Sequence, residues 1–321
     1  MVSDLNLVGN SEALDNSLNT IIAEFRLLAQ ESAVIRPTAR SFQLRPHTGT
    51  SYNITNYNRV TASDLSDGVD MTQAQQLADD ATSYTPSEVG GQVILSGSAL
   101  RRSADARLEA NTVQMLNNAW QLKEDGDGAS QFSSFTPTVG SAGTVPSPGH
   151  LSAVADRLRI GNNTTTAEPA PKPWSFIHHP LTLGVVRGRM IPMADDPQGA
   201  TAFGAAGGAH AGVSFVGGMT PEQVRMFQNG PGSWPGTFFG MKIREDANIS
   251  IDASDDGVGA GYSMDGLAYV SEVAPRLDPD RSDKSMRGAV ELNLWGSYAF
   301  GVYRAGAYGV ASTFEAILPS S

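Results

Sequence analysis

Two short stretches carry residue types that could do chemistry. Asp252-Ala253-Ser254-Asp255-Asp256-Gly257 sets side-chain oxygens at the first, third and fifth positions and glycine at the sixth, like the front of a calcium loop. Such a loop closes with a bidentate carboxylate at its twelfth position, and Ser263 stands there instead. A solvated turn built from turn-favouring residues is the competing reading, and the one the sequence favours. His178-His179 is the second candidate. Neighbours on a strand point to opposite faces, so the two cannot chelate one ion. The remaining histidines, His47, His150 and His210, have no ligand spacing to the pair. A structural role is expected for both, with His179 helping to cap a helix opened by Pro180.

Other chemistry lacks its motif. There is no Gly-Lys-Ser or Gly-Lys-Thr to cradle a phosphate, no Gly-x-Ser-x-Gly elbow and no His-Glu-x-x-His pair. Gly204-Ala205-Ala206-Gly207-Gly208 misses the dinucleotide spacing. The sequence contains no cysteine, which removes disulfides, thiol catalysis and cysteine-ligated zinc together. No catalytic, cofactor-binding or metal-binding residue is therefore assigned, no cofactor is expected, and the chain is read as a non-enzyme.

The elements that would position any site are mixed. Residues 12–31 place Leu14, Leu18, Ile21, Ile22, Phe25 and Leu28 on one helical face, with Ser11 as N-cap and Pro37 beyond the end. Ser51 to Val60 alternates β-formers, and Gln92-Val93-Ile94-Leu95 reads as the returning strand. Between them Asp64, Asp67, Asp70, Asp79, Asp80 and Glu88 occur without one Lys or Arg. Such a span buries itself poorly and suits a mobile loop or a long hairpin arm ordered by another molecule. Residues 104–124 predict an uninterrupted helix, capped by Ser103, with Leu108, Thr112, Met115, Ala119 and Leu122 on its inner face. Glu124-Asp125-Gly126-Asp127-Gly128 is expected to stop it.

Residues 129–149 read as a linker or loop. Ser147-Pro148 then opens a short helix closed by Gly161-Asn162, and Trp174 to His178 reads as a buried strand. Residues 194–236 are rich in Gly, Ala and Pro, with a helix expected over 221–228. Strands are expected at Phe238 to Ile243 and Ala289 to Leu294, and no repeat or regular βαβ rhythm is present. The class is α+β.

Composition limits the partners. There are 22 basic and 33 acidic residues, a net charge of −11, so a basic face for sequence-specific nucleic-acid binding is not expected. A mildly acidic surface repels a polyanion and so could line a container for one. Charged residues are 17%, below the roughly one quarter of an average domain, while Gly and Pro number 34 and 18. That balance suits irregular loops or surface that becomes buried between subunits. The start, Met1-Val2-Ser3-Asp4, lacks a signal peptide, and no apolar stretch is long enough to cross a bilayer.

The order of elements resembles the tailed-bacteriophage major capsid (coat) protein family with the Hong Kong 97-like fold. Local stretches carry the likeness. Val93 to Ser96 and Ala104 to Gly126 look like the strand, Ser-rich turn and spine helix. Ile177-His178-His179-Pro180 resembles the strand and Pro-opened helix of the axial domain. Gly240 to Asp246, Gly266 to Tyr269, and Tyr298 to Arg304 with Tyr308 to Val310 are similar to its later strands.

The resemblance implies an N-terminal arm over 1–49, an extended loop over 50–98, a peripheral domain with spine helix over 99–145, an axial domain over 146–288 and terminal strands over 289–321. It implies a shell subunit assembling with itself as hexamers and pentamers around double-stranded DNA, without sequence-specific binding. It also implies portal and decoration proteins as partners, no membrane, and a virion built in the cytoplasm of the host bacterium. Two departures refine this. Only about forty residues precede the loop, so a scaffold is expected to be a separate protein. No Lys lies between residues 1 and 122, so the lysine crosslinking of the loop known in some relatives is not expected. The competing class is another virion component, such as a tail, decoration or adhesin protein. A tail protein would show long β-rich repeats and no uninterrupted helix over 104–124.

Overall fold

The computed structural model describes residues 7–8, 33–45, 47, 49–57, 60, 62, 64, 67, 76, 79–102, 107–161, 168–190, 237–280, 289–304 and 306–316. The helix expected over 12–31, the cap at Ser103 and the Gly-rich stretch 194–236 with its helix at 221–228 lie outside them. In chain order the strands are β1 (Leu7–Val8), β2 (Arg40–Gln43), β3 (Tyr52–Tyr57), β4 (Asp79–Tyr84), β5 (Ser87–Leu95), β6 (Thr138–Gly140), β7 (Trp174–His178), β8 (Thr237–Phe238), β9 (Met241–Glu245), β10 (Asp256–Ser263), β11 (Leu267–Asp280), β12 (Val290–Val302) and β13 (Gly309–Glu315). The α-helices are α1 (Gly97–Arg102), α2 (Leu108–Ser130), α3 (Pro148–Ile160) and α4 (Pro180–Met190).

The strands form two large sheets and one separate hairpin. The first sheet runs β1-β5-β12-β11-β2, the second runs β6-β13-β10-β7-β9-β8, and β3 pairs only with β4. Helices and mixed sheets together make the α+β class expected. The long helix α2 lies on the first sheet. Thr112, Leu116, Trp120, Glu124 and Gly128 recur every fourth residue on its buried side, and the Trp120 ring meets Tyr298 of β12 edge-on at 5.5 Å. Alternation in β12 sends Val290, Leu292 and Leu294 into the same core.

Three expectations need correction here. The inner face of α2 is rotated from the one read in sequence: Met115 is 60% and Leu122 is 42% exposed, whereas Leu116 and Trp120 are buried. Apolar periodicity misplaced it because the true face carries polar Thr112, Glu124 and Asp125. The helix also does not stop at Gly126-Asp127-Gly128 but continues to Ser130. Glycine inside a helix costs about 1 kcal/mol, and the tertiary bonds of the neighbouring carboxylates, described below, outweigh that. Finally, residues 129–149 are not a plain linker. Gln131–Ser134 forms a 3-10 turn, Phe132 and Phe135 are fully buried, and β6 pairs in parallel with β13.

The second sheet is covered on one face by α3 and α4. Leu151, Val154 and Leu158 from α3, and Leu183 and Val186 from α4, pack with Trp174, Phe176, Met241 and Val310. The other face of β7 sends Ile177 into the core that holds Phe132, Phe135 and Tyr262. All five residues of β7 are buried, as expected for this strand. The strand expected over Phe238 to Ile243 is in fact a tight hairpin, β8–β9, with Phe239 and Gly240 both at positive φ.

Helix α3 starts as read from Ser147-Pro148. The Ser147 hydroxyl caps the N3 backbone, and the His150 ring, at N3, accepts the Ser147 N–H at 3.2 Å. Ser147→Ala is expected to lower subunit stability by about 1 kcal/mol, read as a shift in the urea midpoint with an unchanged slope.

Candidate functional site

Of the two candidate metal stretches, the Asp252 stretch folds as a turn, while His178 ends the buried strand β7 and His179 joins it to α4. Asp252 Oδ1 accepts the backbone N–H groups of Ser254 (2.8 Å) and Asp256 (2.9 Å), while Asp256 Oδ1 accepts the Gly143 N–H at 2.7 Å. Those oxygens hold a turn in which Asp255 takes a left-handed conformation, φ 61°. His179 Nδ1 accepts the Leu181 N–H at 3.2 Å, capping α4 as expected. Among the described residues no group of three or more His, Asp or Glu side chains converges as metal ligands. None of their helices is long and apolar enough to cross a membrane.

His178 lies fully buried, its ring between Phe176 (6.1 Å between centroids) and Phe314 (5.6 Å). Its Nδ1 accepts the His179 N–H at 2.9 Å, so the neutral ring carries its proton on Nε2. Burial first, then the adjacent His179, lowers its pKa from 6.5 to about 3, partly offset by the Ser312 backbone. The unfolded chain therefore takes up a proton near pH 6.5 that the native state refuses. Stability from this group is complete above pH 6.5 and falls as pH drops from there towards 3, at about 1.4 kcal/mol per pH unit. His178→Leu is expected to remove that slope. Urea titrations of both proteins at pH 7.5 and 5 check it, with the wild type losing roughly 2 kcal/mol more.

Two features remain that a neighbour could use. The first is the hairpin β3–β4, registered from Tyr52↔Tyr84 to Tyr57↔Asp79. The return strand is thus Asp79–Tyr84, not the Gln92 to Leu95 segment, which extends β5 in the first sheet; two of the acidic residues, Asp79 and Asp80, sit in the hairpin itself. The root of the hairpin has its own small core of Leu44, Tyr84, Ala268 and Val270, packed by Phe42, Tyr52 and Ile54. The edge of the Tyr84 ring closes on Gly301, where a β-carbon would come 2.2 Å from its Cε1, and its hydroxyl donates to the Val302 carbonyl at 3.1 Å. Burial, then Tyr303, pushes the Tyr84 hydroxyl up to about 12. Away from the root the hairpin has little to pack on: Tyr57 is 66% and Val60 58% exposed, and Asp64, Asp67, Asp79 and Asp80 face solvent.

The second feature is the end of α2, where the presumed helix stop is a buried polar cluster. Glu124 meets Arg36 at 3.4 Å, Asp127 accepts the Tyr298 hydroxyl at 2.9 Å, and Asp125 accepts from Val34, Ile35 and Asn248. Burial, and then the facing carboxylates Glu124 and Asp127, raise the Tyr269 and Tyr298 hydroxyls above the ordinary tyrosine range. Sequence reading assigned no function to these residues. The available signal was three carboxylates within four residues, Glu124, Asp125 and Asp127, with Lys123 the one adjacent cation.

No family model matches the chain, and no curated protein matches it by sequence. Solved structures do match. A Mycobacterium phage Che8 chain is 14% identical, with a TM-score of 0.59 over 92% of this chain and 97% of that one. The capsid of Ralstonia phage GP4 is 10% identical, with a TM-score of 0.64 over 94% and 96%. The capsid of a native GTA particle is 13% identical, with a TM-score of 0.63 over 97% and 99%. At these identities it is shape that is shared, over more than nine-tenths of both chains. Two mixed sheets, a long helix on the first of them and a separate hairpin arm therefore make up the tailed-phage capsid fold, known as Hong Kong 97-like.

Proposed function

We propose that the chain is a major capsid protein, a structural subunit that self-assembles as hexamers and pentamers into an icosahedral shell around a phage genome. The observation that carries this is the hairpin β3–β4: a packed root and a solvent-facing end with exposed Tyr57 and Val60. An arm that buries little in its own subunit makes sense when identical copies lay it on one another. The whole-length likeness to capsid structures supports the same reading. The uninterrupted helix Leu108–Ser130 separates it from a β-repeat tail component.

Further parts of the reading come from the family resemblance. In this proposal α2 with the first sheet is the peripheral domain and the second sheet with α3 and α4 is the axial domain. The shell holds by non-covalent contacts, since no Lys precedes residue 123. It encloses double-stranded DNA without reading its sequence, catalyses no reaction, and is built in the bacterial cytoplasm with scaffold, portal and decoration proteins.

Expression of the chain, alone and with candidate scaffold proteins, followed by negative-stain microscopy tests the reading. Closed particles of uniform diameter are the expected result. Monodisperse monomers under every assembly condition would overturn it.

A further inference from the structure

The N-terminal segment enters the folded subunit beside the end of α2, and one carboxylate holds it there. Asp125 is fully buried. Its Oδ1 accepts the N–H groups of Val34 and Ile35, each at 2.9 Å, and its Oδ2 accepts the Asn248 side-chain amide at 3.0 Å. Asn248 is tied in turn through its own N–H to Asp246 Oδ1 at 2.8 Å, and the Asp246 N–H donates to the His178 carbonyl at 3.2 Å. The bonds thus run from the arm root, through α2, to the end of β7 in the second sheet. Flanking contacts fix the same segment. Ile35 fills the space over Gly128, where a β-carbon would come 2.8 Å from its Cγ2, and Thr38 Oγ1 lies 2.6 Å from the Tyr262 hydroxyl.

A well-packed apolar side chain would serve stability here at least as well, because a desolvated carboxylate seldom recovers its hydration from its partners. What the carboxylate adds is register. Two successive N–H groups bonded to one oxygen cannot slide by a residue without stranding a buried charge. We propose that Asp125 is a positioning residue for assembly. It fixes the register at which the segment Val34–Thr38 joins the folded subunit and locks that junction to the second sheet, so that every copy holds the chain ahead of Val34 at the same point. The proposal rests on the shell-subunit reading. A closed symmetric assembly repeats the same contacts in every copy, so a segment free to take several registers gives open or irregular products.

The test uses the full chain, with wild type assembled in parallel. Asp125→Ala removes all three bonds. Asp125→Asn keeps an oxygen for both arm N–H groups, and a turned Asn248 amide can accept its NH2. Both variants are expected to melt cooperatively as subunits. Asp125→Ala is expected to yield about tenfold fewer closed particles, replaced by open or irregular assemblies, and Asp125→Asn to stay within about twofold of wild type. Asn248→Ala cuts only the link to the second sheet. It is expected to fall between the two, and it decides the matter if Asp125→Ala does not fold. Closed particles of wild-type yield and diameter from both alanine variants would overturn the proposal, as would equal defects in Asp125→Asn and Asp125→Ala. Failure of the wild type itself to form particles would count against the shell reading instead.

Discussion

Phe135→Ala is expected to cost the unassembled subunit roughly 3–5 kcal/mol, the largest loss from any single side chain considered. The ring is fully buried, stacks on Tyr262 at 5.6 Å with the planes 16° apart, and shares that partner with Phe132 at 5.7 Å. Tyr262 belongs to β10 of the second sheet, while the turn that carries Phe135 continues α2 from the first. The ring is therefore a wedge between the two sheets, and its removal leaves a hole that neither sheet can close without moving the other. Whole-domain stabilities are about 5–15 kcal/mol, so the loss is a large fraction of the total. For a chain of this length it corresponds to a fall in Tm of roughly 10 °C. Urea unfolding of wild type and variant gives the comparison, and a midpoint shift worth less than about 1 kcal/mol would show that the sheets do not depend on this wedge.

That wedge also shows where sequence reading reached its limit. Phe132 and Phe135 sit among Ser, Thr, Gly and Pro, a composition that reads as linker. Only the pairing of β6 with β13, across about 170 residues of chain, makes their burial necessary. Elements governed by local chemistry were legible. Ser147-Pro148 and Gly161 bound α3, His179-Pro180 opens α4, and Trp174 to His178 is a strand buried throughout.

The face of α2 was not legible, because its buried stripe mixes Leu116 and Trp120 with Thr112, Glu124 and Asp125. Those carboxylates acquire partners 88 to 123 residues away, as Glu124 does with Arg36 and Asp125 with Val34, Ile35 and Asn248. The same long-range bonds turned an apparent helix stop into the anchoring point of the arm. The hairpin was seen in outline from its acidic, cation-free composition. Its return strand was misplaced because Ser87–Leu95 has equally good β character and finds a longer partner in β12.

Replacing residues 58–78 by Asn-Gly is expected to abolish shell formation while leaving the subunit folded. The two-residue turn joins the last registered pair, Tyr57 and Asp79, with residues that favour the mirror-image turns of tight hairpins. The root survives, since Tyr84 keeps its seat on Gly301 and its bond to Val302, and Leu44, Ala268 and Val270 remain covered. The described positions removed, Val60, Ala62, Asp64, Asp67 and Gln76, all face solvent. The subunit's melting transition is expected to shift by no more than about 1 kcal/mol. Assembly answers to a different quantity. Each copy in a shell repeats the same arm contact, so a loss that is modest at one interface is multiplied around every symmetry axis. Sedimentation and negative-stain microscopy of variant and wild type, under conditions where the wild type closes, supply the measurement. Closed particles at wild-type yield would mean that the hairpin is ornamental to assembly, and would remove the observation on which the shell reading most depends. Tyr84→Ala separates root from tip: it keeps every distal residue but loosens their base, so it is expected to lower particle yield and subunit stability together.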